Sequence, residues 1–144
     1  MNTTTVTTPS ELEIRVERVF DAPRAHVFSI YTDPKLIPEW WGEGTVVEEM
    51  DVRPGGRYRF RTAFGAVEGE YHEVDAPVRL VQTFQNHLQT LEFEDLGERT
   101  KLTQTMRFAT TEERDTTMQY GVEEGAKGGF ARVDALLRRL ALDA

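Results

Sequence analysis

The stretch that decides the fold is DPKLIPEWWGEGTVVEEMDVRPGG, residues 33–56, which runs directly into RYRFR at 57–61. Its adjacent tryptophans, Trp40 and Trp41, are costly to leave in water, since each ring buries on the order of 150–250 Å² when packed. The Pro-Gly-Gly at 54–56 is typical of a tight turn, and the alternation after it is typical of a strand. The stretch therefore predicts a loop, anchored by the Trp pair, that leads into a sheet.

Length and charge limit the class of protein. The chain has 144 residues, with 17 basic and 25 acidic ones and a formal net charge of −8. Such a length fits one domain that buries roughly 70% of its unfolded surface. We therefore predict a single domain at residues 11–144, after a loose threonine-rich tail at 1–10. The negative charge argues against nonspecific nucleic-acid binding, which needs clustered Lys and Arg. A row of arginines at positions 57, 59 and 61 lies among many acids, which favours a solvated sheet face over a binding patch.

Further classes are excluded by residue types that the sequence lacks. It contains no cysteine, so disulfides, thiolate nucleophiles and zinc–thiolate sites are ruled out. The N-terminal residues show neither a basic n-region nor an apolar h-region, and no apolar run approaches the ~20 residues that cross a bilayer. The expectation is a cytoplasmic protein without a membrane span.

Periodicity predicts an α+β arrangement. Alternation indicates a first strand at 13–20, and Pro23 and Asp33 mark the starts of two short helices. Antiparallel strands are predicted near 45–52, 57–64, 67–74, 78–86, 88–95 and 99–108. Apolar residues at spacings of three and four predict one long helix over about 111–141, with Thr110 and Glu113 as a capping box. A curved sheet of six or seven strands around that helix would satisfy the pattern.

Seven short motifs carry a family resemblance. They are FDAP at 20–23, VF at 27–28, TDP at 32–34, WWG at 40–42, DVRPGG at 51–56, GEY at 69–71 and PVRLV at 77–81. Their order and spacing over residues 15–140 resemble the family related to the activator of Hsp90 ATPase, within the START/Bet v 1-like superfamily. The resemblance implies the helix-grip fold, in which the sheet and the long helix enclose an apolar cavity. Relatives are bacterial single-domain proteins, mostly of unassigned role, alongside lipid carriers, polyketide cyclases and a co-chaperone domain.

The sequence departs from the family pattern in two places. Members commonly carry proline after Trp-Trp-Gly, and here Glu43 takes that position. The predicted terminal helix also contains glycine at positions 121, 125, 128 and 129, each costing roughly 1 kcal/mol relative to alanine. Either the helix approaches the sheet closely there, or it leaves open volume. Large rings on the facing strand favour open volume, so we predict a pocket beneath 118–129 and a solid plug beneath 133–140.

No recognised catalytic or metal-binding motif is present. The sequence has no Gly-x-Ser-x-Gly elbow, no phosphate loop and no dinucleotide fingerprint. His26, His72 and His87 lack metal-ligand spacing and are predicted to lie on the surface. We therefore assign no catalytic residue, no metal and no cofactor.

Three polar residues share the phase of apolar neighbours on predicted strands: Arg18, Gln89 and Gln104. A polar side chain inside a core is costly unless it is paired. Either these residues belong to a cavity wall that hydrogen-bonds a ligand, or a bulge or a shifted phase turns them outward. Both interpretations stay open at this stage.

Three functions fit these observations. The first is binding of an apolar small molecule in an internal cavity. The predicted lining is Trp41, Tyr58, Phe60, Phe64, Tyr71, Gln89, Phe93, Gln104, Met106, Met118, Val122 and Gly125. The second is an enzyme of the polyketide cyclase or dehydratase kind, for which the candidate titratable groups are Arg18, Glu49, Tyr71, His72 and His87, none in a recognised dyad. The third is an interaction module like the co-chaperone domain, with a chaperone partner as the least favoured alternative. A homodimer is compatible with the sequence.

Overall fold

A computed structural model describes residues 3–85 and 87–143 of the chain. The strands in this part are β1 (Thr5–Thr7), β2 (Glu13–Phe20), β3 (Val46–Met50), β4 (Arg57–Thr62), β5 (Gly65–Asp75), β6 (Arg79–Phe84), β7 (His87–Asp95) and β8 (Thr100–Phe108). The helices are α1 (Arg24–Thr32), α2 (Ile37–Trp41), α3 (Thr111–Gln119) and α4 (Val122–Asp143). The strands form one antiparallel sheet in the order β1-β2-β8-β7-β6-β5-β4-β3. The predicted α+β class and helix-grip architecture are confirmed.

The described part of the sheet has eight strands rather than the six or seven predicted. The additional strand is β1, which lies in the segment predicted to be a loose tail. Val6 pairs with Val16 of β2, and Val and Thr suit an extended pairing of this kind. Residues 5–7 are therefore part of the sheet, because β2 otherwise presents an unpaired edge to them.

One face of the sheet packs against the helices and the other faces solvent. Along β2 the buried positions alternate with half-buried ones, and Ile14 and Phe20 are fully buried. The opposite face carries the predicted arginine row, where Arg59 pairs with Glu48 at 3.1 Å and with Glu68 at 2.6 Å. Exposed pairs of this kind contribute little stability. The geometry agrees with the solvated face that the sequence indicated.

The single long helix predicted over 111–141 is two helices. Gly121 separates α3 from α4 and has a φ of +88°, a left-handed conformation that cannot continue a right-handed helix. The predicted cap at the start is present, because the Glu113 amide donates to the Thr110 hydroxyl at 3.1 Å. The glycine at 121 therefore ends one helix and allows the next to start in a new direction.

Two irregularities curve the sheet around α4. The register shifts in β3 between Val47 and Glu49, and in β5 between Tyr71 and Glu73. Such bulges bend a strand and increase its local twist. Next to the second shift, Gly69 makes room for the ring of Tyr58. A Cβ at Gly69 would lie 2.7 Å from that ring and would overlap the carbonyl oxygen of Thr83.

Candidate ligand cavity

A cavity of about 430 Å³ lies between the sheet and the first half of α4. The sheet contributes Val16, Tyr58, Phe60, Tyr71, Gln82, Phe84, Gln89, Leu91, Gln104 and Met106, and the helices contribute Tyr31, Ile37, Trp40, Trp41, Val122, Gly125, Ala126, Gly129 and Phe130. This volume is within the range of small-molecule pockets, which are predominantly apolar with a few placed polar groups.

Two glycines of α4, Gly125 and Gly129, line the cavity. Val122, Gly125, Ala126, Gly129 and Phe130 follow the three- and four-residue spacing of one helix face. A Cβ at Gly125 would meet no atom within 4 Å, so this glycine is not required for close helix–sheet contact. Of the two explanations for the glycines, open volume is the one that the geometry supports.

Beyond Phe130, α4 packs tightly on the sheet. Val133 is fully buried, and Leu136 and Leu137 are 2% and 7% exposed. The cavity thus lies beneath residues 122–130 of the helix, and the core is solid beneath 133–137, close to the predicted division.

Aromatic rings form one side of the cavity. The Trp41 ring packs edge-on against Phe60 with centroids 5.4 Å apart, and lies 5.7 Å from Phe84. Tyr58 lies 5.1 Å from Phe60 and 5.4 Å from Tyr71. These contacts make a rigid surface that suits a flat apolar molecule. Trp41 thereby lines the cavity as well as anchoring its loop.

Glutamines form a polar group on the sheet floor. Register places Gln82 of β6 directly opposite Gln89 of β7, and the Gln82 amide nitrogen donates to the Gln89 side-chain oxygen at 3.3 Å. Gln104 of β8 pairs with Leu91, two residues along from Gln89 on the same face. Both glutamines left open by the sequence therefore face the cavity.

His87, which the sequence predicted to lie on the surface, is instead half-buried and contacts the Gln89 side chain. Its Nε2 lies 3.1 Å from the Gln89 amide nitrogen, which can only donate, so the imidazole nitrogen is the acceptor. The ring lies 4.8 Å from Phe108 and 5.5 Å from Phe84. Burial in this setting lowers the pKa of His87 to about 4, so the imidazole is neutral at physiological pH.

Arg18, the third in-phase polar residue, has a different partner. Its guanidinium makes a bidentate pair with Asp134 of α4, with Nη1–Oδ1 at 3.0 Å and Nη2–Oδ2 at 2.5 Å. It also lies 4.9 Å from the centroid of the Phe20 ring. Arg18 does not belong to the cavity lining. It crosslinks β2 to α4, which satisfies its charge inside the core.

Three of the twelve predicted lining residues lie elsewhere, while the other nine line the cavity. Phe64 is fully exposed, because β4 ends at Thr62 and the alternation stops at the turn to β5. Phe93 is buried in the core, where its ring lies 5.2 Å from that of Phe28. Met118 lies on α3, before the break at Gly121, and is 37% exposed.

Tyr31 is one of several lining residues, Gln82 and Phe84 among them, that the sequence interpretation missed. It lies on the apolar side of α1, and its ring packs 5.0 Å from that of Trp40. Its buried hydroxyl makes no hydrogen bond to any described residue, and burial raises its pKa. The apolar spacing of α1 was the available signal, but only the packing of α1 against β7 and α4 brings the ring to the cavity.

The cavity surface is uncharged. Among the residues that the structure describes, the lining contains no carboxylate, ammonium, guanidinium or imidazole group. Burial raises the pKa of Tyr58 and of Tyr71, which keeps both phenols protonated, and the Tyr58 hydroxyl donates to the Thr83 carbonyl at 2.6 Å. The other titratable candidates, Glu49 and His72, are exposed.

Residues 3–85 and 87–143 contain neither a metal-binding cluster nor a membrane-spanning helix. No group of three His, Asp or Glu side chains is placed to hold a metal ion there. In the same part of the chain, none of the helices is both long and apolar enough to traverse a bilayer.

Comparison with known proteins agrees with this fold. Residues 21–138 match the family model described as activator of Hsp90 ATPase homolog 1-like protein. The crystal structure of protein Ms6760 from Mycobacterium smegmatis is 26% identical, with a TM-score of 0.84 over 97% of this chain and 99% of that one. A Rhodobacter sphaeroides protein is 21% identical, with a TM-score of 0.86 over 96% and 99% of the two chains. An Arthrobacter aurescens protein is 24% identical, with a TM-score of 0.79 over 94% and 91%. No curated protein matches the chain significantly.

Proposed function

Because this chain belongs to the family of activator of Hsp90 ATPase homolog 1-like proteins, we propose that it binds an apolar small molecule in the cavity beneath α4. The observation that carries the proposal is the cavity itself, about 430 Å³ lined by aromatic and aliphatic side chains. A void of this size leaves its lining without packing partners, which costs stability unless a ligand occupies it.

Binding is favoured over catalysis by the chemistry of the lining. A cyclase or dehydratase needs a group that can exchange a proton with its substrate near neutral pH. The cavity offers buried phenols with raised pKa values and uncharged amides instead. For the third function, a chaperone-associated module, no contact among the described residues provides a specific argument.

A fluorescence titration tests the proposal. The neutral dye N-phenyl-1-naphthylamine brightens in apolar surroundings, and its size fits the cavity. We expect one saturable site with a Kd of about 100 µM or tighter, the value that a modest free energy per non-hydrogen atom implies. Native mass spectrometry of the purified protein should also show a bound species released on unfolding. A dye signal that does not saturate, with no bound species, would refute the proposal.

A further inference from the structure

The polar groups of the cavity are concentrated on adjacent strands of the sheet floor. Gln82, Gln89 and Gln104 come from β6, β7 and β8, which are neighbours in the sheet. We call these three residues the glutamine cluster. Side chains that are directly or diagonally opposite on one sheet face are within reach of one another. The cluster thus presents several amide groups to one region of an otherwise apolar cavity.

The glutamine cluster has hydrogen-bonding capacity left over. Gln89 is only 9% exposed, and its amide is held between Gln82 and His87. An amide carries two donor hydrogens and two acceptor lone pairs, so these contacts use half of what Gln89 offers. The Gln104 side chain makes no hydrogen bond within the described part of the chain. Amides that face an apolar cavity are costly unless a ligand or ordered water completes their hydrogen bonds.

A charged group on a ligand would have no oppositely charged side chain to pair with among the described lining residues. The described lining residues include no side chain of either charge, and the nearby guanidinium of Arg18 is already neutralised by Asp134. Moving an unpaired carboxylate or ammonium from water into such a site is strongly unfavourable. The unused donors and acceptors of the Gln89 and Gln104 amides suit a neutral ligand group that accepts or donates a hydrogen bond.

We infer that the cavity selects an uncharged molecule with a flat apolar body and one carbonyl, amide or hydroxyl group, which the amides of Gln89 and Gln104 hold by hydrogen bonds. This inference rests on the proposed function and specifies its ligand class. The apolar body lies against the aromatic side of the cavity, formed by Trp41, Phe60 and Phe84. The polar group points to the sheet floor.

Three probes of similar size test the ligand class on the unmodified protein. They are 2-acetylnaphthalene, which has a carbonyl; 2-isopropylnaphthalene, in which a methyl group replaces that oxygen; and 2-naphthoate, which is charged. Each is titrated as a competitor of N-phenyl-1-naphthylamine at pH 7.5. We expect 2-naphthoate to bind at least tenfold more weakly than the ketone. Equal or tighter binding of the naphthoate would overturn the inference.

Two variants test the assigned hydrogen bonds. Gln89→Leu and Gln104→Leu each remove an amide while keeping a side chain of similar length. The quantity measured is the Kd of the isopropyl probe divided by that of the ketone. We expect this ratio to fall about 3- to 10-fold in at least one variant, the range for a neutral hydrogen bond. The control is Gln119→Leu on α3, an exposed glutamine outside the cavity, which should leave the ratio unchanged.

The outcomes separate this inference from the function on which it rests. If the isopropyl probe binds but neither variant changes the ratio, the apolar site stands and the hydrogen-bond assignment is wrong. If none of the three probes displaces the dye and the dye itself does not bind, both are wrong. Among the described residues the Gln104 side chain has no hydrogen-bond partner that the change would leave unpaired, so the Gln104→Leu variant remains informative should Gln89→Leu fail to fold.

Discussion

Gly125→Leu is the sharpest test of where the cavity lies. Gly125 lines the cavity in the first turn of α4, and a Cβ there would meet no atom within 4 Å. Helical side chains lean toward the preceding turn, so the leucine would extend toward Val122, another lining residue. We expect its carbon atoms to occupy the volume that the ligand needs.

Two effects of opposite sign can be estimated for this change. Leucine has a higher helix propensity than glycine by about 0.8–1 kcal/mol, so the free energy of unfolding should rise slightly. That corresponds to a melting temperature higher by about 3 °C for a chain of this size. A ligand forced against the new side chain loses about 1–3 kcal/mol, the cost of overpacking. Dye affinity should therefore fall about 5- to 150-fold while the fold becomes more stable.

The assay combines thermal unfolding with titration of N-phenyl-1-naphthylamine, and the matched control is Gly128→Leu. Gly128 lies on the same helix outside the lining, and its Cβ would make an ordinary contact of 3.7 Å with Arg132. Both variants should gain stability from helix propensity, but only Gly125→Leu should lose dye binding. Equal dye affinity in the two variants would refute the placement of the cavity beneath this turn.

Three further predictions concern stability. Gly69→Ala should lower the free energy of unfolding in urea by about 3 kcal/mol, because the new methyl group overlaps Thr83 and displaces the Tyr58 ring; a change below about 1 kcal/mol would contradict this close approach. Arg18→Met should cost about 2–4 kcal/mol by leaving Asp134 unpaired, and the double variant with Asp134→Leu should recover most of that loss; equal losses in the single and double variants would contradict the explanation. The pKa of His87 is depressed to about 4, so the unfolded chain takes up a proton first and stability falls as pH drops from about 6.5 to 4. Between pH 7 and pH 5 the free energy of unfolding of the parent protein should fall by about 1–2 kcal/mol because of His87. In His87→Phe this contribution should be missing, so the fall between the two pH values should be smaller by that amount. An equal fall in the parent and the variant would exclude His87 as the source.

Local patterns were enough to determine most of the architecture. Alternation identified the seven longer strands, because successive side chains of a strand point to opposite faces whatever the rest of the chain does. The same rule put Gln89 and Gln104 in phase with apolar neighbours but did not decide which way they face, and in the structure both line the cavity. The cap at Thr110 is also local, since its hydrogen bond spans three residues.

What only the tertiary structure decided were contacts between distant parts of the chain. Arg18 shares the inner phase of β2, but its partner Asp134 lies 116 positions away and meets it only when α4 docks on the sheet. The pairing of Thr5–Thr7 depends likewise on β2 being placed beside β8, which leaves its other edge open. The periodicity of the sequence indicates on which face of its own strand or helix a side chain lies. Which elements meet across the core follows from the strand order and the docking of α4, so the fold gave Arg18 an ion-pair partner that neither sequence interpretation contained.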